Sequence, residues 1–146
     1  MARFELYRTV HRTPAECWDR LTDWPRHGER VPLTRVFVSK GSGREVGDVV
    51  TARTSVGPLG FDDPMEILLF QAPEPGRPGL GRLVKHGSVV RGWAELSIVA
   101  SETDAAKTVV GWREEIAVLG IPRLADPLLA RAGRVVFGRV VERLVR

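Results

Sequence analysis

Glu114 is the residue in this sequence whose position most strongly demands a chemical explanation. From Val110 to Val118 every second residue, Val110, Trp112, Ile116 and Val118, is apolar, and Glu114 interrupts the set. A period of two belongs to a strand with one buried face. A carboxylate on such a face must find a partner, take a proton or border a wet cavity, because an unpaired buried charge is strongly disfavoured. In a cavity it would orient a polar ligand group or, with a raised pKa, accept a proton. Trp112 shares its face and offers a surface for stacking on an aromatic ligand, although core filling explains a tryptophan equally well. Near the N-terminus, Arg8 interrupts the alternating set Phe4, Leu6, Val10 in the same way.

Other reactive side chains point to less. Cys17 and His27 could form a thiol nucleophile and its base, but Cys17 falls on the buried side of a short helix, where cysteine is normally a small hydrophobe. As the single cysteine it has no disulfide partner, and His11, His27 and His86 lack the spacing of a zinc site. The loop Gly41-Ser42-Gly43 lacks the Gly-Lys-Ser/Thr ending of a phosphate-binding loop and reads as a flexible hairpin connection. His86, on a strand, reads as a surface or rim residue. No cofactor and no metal is called for.

The elements that position these residues follow from local signals. Residues 3 to 11 alternate as a strand. Thr13, Pro14 and Glu16 form a capping-box start, with the glutamate expected to reach back to the cap. A helix runs from Pro14 to about Leu21, burying Cys17, Trp18 and Leu21. Trp24-Pro25 then breaks it before a second short helical segment ending near Arg30. Strands follow near 33–39, 48–56, 64–71, 81–87, 89–101 and 107–119, divided by Gly/Pro-rich turns. With the last turn centred near Asp104, Glu95 lies opposite Arg113 and Ala94 opposite Glu114. Asp126-Pro127 supplies the N-cap and first-turn proline of a closing helix that runs to about Val145. Leu129, Ala132, Gly133, Val136, Phe137, Val140 and Leu144 form its apolar stripe. Gly133 and Gly138 weaken that helix, and close approach of the sheet, room for a ligand, a kink or simple tolerance would account for them.

At 146 residues the chain is one domain, 1–146, of a size that buries about 68 to 70% of its unfolded surface. Its 43% hydrophobic and 27% charged residues exclude a disordered tail, and 15 Gly with 10 Pro fall short of a low-complexity or collagen-like chain. The net charge of +4 comes entirely from residues 120–146, where six arginines face two carboxylates, so no broad positive face for nucleic acid is expected. No signal-type run and no integral membrane segment is seen, which makes the cytoplasm the expected location. The last helix pairs a basic side with an apolar stripe, as interfacial helices do, but the stripe is needed to cover the sheet.

A strand, two short helices, about six more antiparallel strands and a long C-terminal helix resemble the START-like helix-grip superfamily, in particular its small polyketide cyclase/dehydrase and lipid-transport branch. The segment Thr13-Pro-Ala-Glu-Cys-Trp-Asp-Arg-Leu-Thr-Asp23 is similar to that family's first-helix segment, and Gly47-Asp48 before a strand is also family-like. The resemblance implies an α+β fold in which a curved antiparallel sheet of about seven strands wraps the C-terminal helix and leaves a cavity for an apolar or aromatic small molecule, lipid or polyketide-like. It also makes the first and last strands neighbours, so an internal Arg8–Glu114 pair is expected. Met65, Ile67, Leu69, Trp112, Val136 and Val140 are the expected apolar lining. Two alternatives remain open: a cyclase or dehydratase using Glu114 as acid or base, and an interaction module with a collapsed cavity and a partner surface around Trp93. The oligomeric state is not legible.

Overall fold

The computed structural model describes residues 1–146, the Arg30 side chain excepted. The chain opens with strand β1 (Ala2–Val10), helix α1 (Pro14–Leu21) and a 3-10 helix, Trp24–Arg30. Six strands follow: β2 (Thr34–Lys40), β3 (Val49–Val56), β4 (Leu59–Gln71), β5 (Gly79–His86), β6 (Val90–Ala100) and β7 (Thr108–Val118). A short 3-10 turn, Arg123–Ala125, leads into helix α2 (Asp126–Val145). The strands form one seven-stranded sheet in the order β1-β7-β6-β5-β4-β3-β2. All its pairings are antiparallel, with bulges at Val38/Lys40 and Ile67/Leu69. This is the α+β architecture expected from the pattern. β4 begins earlier than the turn signals suggested, because Pro58 closes a tight turn and Leu59 and Gly60 already pair with Val56 and Ser55.

Local chemistry sets the helix ends, in part as expected. Thr13 caps α1 by accepting from the Glu16 amide at 3.2 Å, but the Glu16 carboxylate pairs with Arg12 at 3.5 Å instead of returning to the cap. Asp126 is the first residue of α2, not its cap, because the preceding 3-10 turn already carries the chain into helical conformation.

One core cluster packs α1 and α2 on the sheet, with Phe4, Trp18, Leu21, Leu96, Ile98, Val110, Val140, Val141 and Leu144 buried. A second lies under the far strands, where Trp24 meets Val36, Val50, Ile67 and Leu83. Val141 and Val145 belong to the packed side of α2, whereas Ala132 is exposed. Gly133 is explained by close approach: a Cβ there would run into the Phe4 ring of β1. No described helix is long and apolar enough to cross a membrane.

Candidate functional site

Between the two clusters lies a cavity of about 200 Å³, bounded by the inner face of the sheet, the 3-10 helix Trp24–Arg30 and α2. Its wall is mainly apolar, including Val36, Val50, Leu83 and Met65 from the sheet and Phe137 from α2. Trp24, His27, Trp112 and Phe137 make a run of neighbouring rings along one side, with successive centroids 5.4, 5.5 and 5.5 Å apart. Such offsets are those of favourable aromatic contact.

Within this wall stand three buried charged residues, Asp63, Lys85 and Glu114. The strand pattern places them. Asp63 shares the inward parity of Phe61, Met65 and Ile67 on β4, and Lys85 that of Gly81 and Leu83 on β5. On β7, Glu114 sits between Trp112 and Ile116. Lys85 Nζ donates to Asp63 Oδ2 at 2.7 Å and lies 3.2 Å from Glu114 Oε1. It reaches Glu114 across the whole width of β6, where its own partner is Gly92 and the partner of Glu114 is Ala94. Neither residue has a side chain long enough to obstruct the contact. Trp112 Nε1 donates to Glu114 Oε2 at 3.1 Å, so both oxygens of that carboxylate are occupied.

Two valences in the cluster remain weakly used. The third Lys85 contact is to Met65 Sδ at 3.3 Å, a poor acceptor, and Asp63 Oδ1 has no hydrogen-bond partner among the described residues. Burial pulls the lysine pKa down, but Glu114 and Asp63 outweigh it and hold it above its ordinary value, so Lys85 is an ammonium. His27 is the opposite case: burial lowers its pKa, and its Nε2 sits 2.7 Å from the Leu21 carbonyl. A carbonyl only accepts, so Nε2 carries the proton and Nδ1 is left as an acceptor.

The residues expected from the sequence divide into two groups. Met65, Trp112 and Glu114 line the cavity. Arg8 does not, and the Arg8–Glu114 pair is not made. Strand β1 does neighbour β7, but Arg8 faces Val110, and four residues of strand, about 13 Å, separate Val110 from Glu114. Arg8 instead pairs with Glu142 of α2 at 3.0 Å, and it is Phe4 that sits opposite Glu114. Ile67 is buried in the second core cluster, below the cavity. Leu69 follows the β4 bulge, which turns it to the solvent side. Val136 and Val140 also lie outside the lining: Val140 is packed in the first cluster, and one residue along the helix Phe137 takes the position facing the cavity.

Asp63 and Lys85 were not anticipated, and His27 was considered only as a base for Cys17, not as part of a cavity wall. The parity of β5 carries the signal for Lys85, since it is two residues after Leu83. Cys17 is fully buried in the core, and burial pushes its thiol up to about 11, so it is no nucleophile at neutral pH. His86 is exposed and pairs with Glu66 at 3.3 Å on the outer face. The glycine loop proves to be a built feature. Asp48 Oδ2 accepts from the amides of Ser42, Gly43, Arg44 and Glu45 and from the Ser42 hydroxyl, and a Cβ at Gly41 would strike the same carboxylate. No group of three or more His, Cys, Asp or Glu side chains is arranged for a metal among the described residues.

A curved seven-stranded sheet gripping a C-terminal helix, with a partly polar cavity between them, can be compared with solved structures. A START superfamily protein from Mycobacterium smegmatis superposes with a TM-score of 0.70 over 99% of this chain and 97% of its own, at 13% identity. The chain has the START-like helix-grip fold. Norcoclaurine synthase from Thalictrum flavum, solved with a transition-state analogue, shares this fold at a TM-score of 0.62 and 15% identity, over 98% of this chain and 92% of its own. So does the Zhui aromatase/cyclase of a Streptomyces species, at 0.57 and 16%, over 97% and 92%. No family model and no curated protein sequence matches the chain. The helix-grip fold accounts for the cavity's place between sheet and helix, while the Asp63–Lys85–Glu114 cluster is a property of this chain's own side chains.

Proposed function

We propose that this helix-grip protein binds a compact apolar or aromatic small molecule in the cavity between the sheet and α2. The observation that carries the reading is a mainly apolar, ring-lined cavity with one buried charged cluster in its wall. Ligand sites characteristically combine an apolar wall with a few placed polar groups. A cavity of about 150 Å³ holds a benzene ring, so about 200 Å³ suits one or two rings or a short branched chain better than an extended lipid. A ligand oxygen would take the Lys85 proton that faces Met65, and a ligand hydroxyl would donate to Asp63 Oδ1. The open cavity disfavours the reading as an interaction module with a collapsed interior. The cytoplasm is the proposed location, in keeping with a single thiol that has no disulfide partner.

A second reading, as a cyclase or dehydratase, draws on the same cluster. An ammonium held between two carboxylates can polarise a carbonyl placed on it, and two fold neighbours are named as an aromatase/cyclase and a norcoclaurine synthase. Glu114→Gln separates the readings: lost turnover with unchanged binding supports the enzyme, and altered affinity alone supports the binder. The direct test of binding is a native mass spectrum of gently purified protein, followed by extraction under denaturing conditions. A retained small molecule supports the proposal. A bare mass, with no thermal shift from a panel of ring-sized aromatic compounds, contradicts it.

A further inference from the structure

Helix α2 has two apolar faces, and only one of them is packed. Phe137, Val140, Val141 and Leu144 meet the rest of the fold, whereas Leu128, Ala132 and Val135 lie on the opposite side and are exposed, along with Leu124 in the turn before the helix. Leu124 is 95% exposed and Leu128 72%, and Leu119, in the loop that follows β7, is 73% exposed. The need to cover the sheet explains the packed stripe and leaves the second unexplained. Exposed large apolar residues that recur on one helix face are unusual on a protein that meets only water.

The charges on this face indicate what it meets. Arg131 and Arg139 share the helical face of Leu128 and Val135, Arg123 and Arg134 flank it, and all four are exposed. From Arg123 to Val141 the one acidic residue is Asp126, and it is paired with the N-terminal ammonium at 3.1 Å. A two-fold contact between copies centred here would bring arginines against arginines, with only the already paired Asp126 to offset them. Leucines projecting from a basic helix instead fit the boundary between anionic headgroups and acyl chains. The cavity lies on the other side of the same helix, where Phe137 lines it, and Leu119 donates its amide to the Val89 carbonyl, next to the lining residue Val90.

We infer that the turn at Leu124 and the first half of α2 dock this protein on an anionic phospholipid surface, with Leu124 and Leu128 inserted and the arginines on the headgroups. The docking is peripheral, and it stands whether or not a ligand fills the cavity.

The test is vesicle flotation of the full chain, using phosphatidylcholine alone and phosphatidylcholine with about a third phosphatidylglycerol. The expected result is binding to the anionic vesicles only, weakened in about 0.5 M salt. Leu124→Asp with Leu128→Asp should lower that binding on the order of tenfold or more while the thermal melt is kept. Arg131→Glu with Arg134→Glu should lower it by a similar factor. If the aspartates disturb folding, the serine pair at the same positions gives the same reading. The inference is overturned if the unmodified protein stays in solution with anionic vesicles, or if the leucine variants bind as well as it does. A concentration-dependent dimer that these variants dissolve, without vesicle binding, also overturns it and assigns the face to self-association.

Discussion

Lys85 Nζ lies 2.7 Å from Asp63 Oδ2 and 3.2 Å from Glu114 Oε1, so a single ammonium joins two carboxylates from strands on opposite sides of it inside the fold. The pairing matters most when it is broken. Removing the lysine leaves two buried carboxylates without their counter-ion, a change that typically destabilises by about 3–5 kcal/mol. Lys85→Met should lose about that much in urea unfolding at neutral pH. Glu114→Gln, which keeps the Asp63 partner, should cost less.

The same cluster sets an alkaline limit. The folded pKa of Lys85 is raised above its ordinary 10.5, so its contribution is whole below pH 10.5 and disappears as pH climbs through the folded value. Stability measured against pH should fall in that window for the unmodified protein. The curve of Lys85→Met should lack this component.

His27 works at the acid side. Its ordinary value is 6.5 and burial lowers the folded one, so the unfolded chain binds the proton first. Stability is therefore expected to fall as pH drops below 6.5 toward the folded value. Replacing the ring with phenylalanine should flatten that part of the curve, read by urea midpoints across the range.

Asp48 organises a loop that carries no part of the cavity wall. Hydrogen bonds from Ser42 and from the amides of Gly43, Arg44 and Glu45 hold its pKa below the ordinary 3.8 despite the opposing effect of desolvation. Its contribution is present above pH 3.8 and is lost as pH falls through the folded value. In Asp48→Ala the amides of residues 42 to 45 should lose most of their hydrogen-exchange protection while those of β6 and β7 keep theirs.

Gly133→Ala separates helix propensity from packing. Alanine favours a helix by about 1 kcal/mol over glycine. The added methyl would enter the Phe4 ring, and overpacking of that kind costs about 1–3 kcal/mol. A lowered melting temperature is expected, with Phe4→Leu in the same chain restoring part of it.

Period and punctuation made most of the architecture legible. Thr13-Pro14 marked the start of α1, the alternation of β6 and β7 fixed Ala94 opposite Glu114, and helical spacing carried α2 to Val145. Glu114 announced itself because it interrupts an apolar set. Lys85 did not, since β5 is rich in glycine and its inward face has only Leu83 as a large apolar neighbour. The partner of Glu114 was misassigned for a different reason. Strand adjacency was read correctly, but the β1–β7 register places Arg8 beyond reach, and register between strands 100 residues apart has no local signal. The second stripe of α2 was hidden because a helix pattern shows which residues are apolar, not which of its faces the sheet covers.

The central claim, a cavity that takes a ring-sized ligand, is tested most directly by methyl NMR during titration with indole and benzyl alcohol. Saturable shifts are expected at Val36, Val50, Met65 and Leu83, with Val99 on the outer face and Leu144 in the packed core unmoved. Shifts that never saturate, or that appear only at outer-surface methyls, would contradict the account.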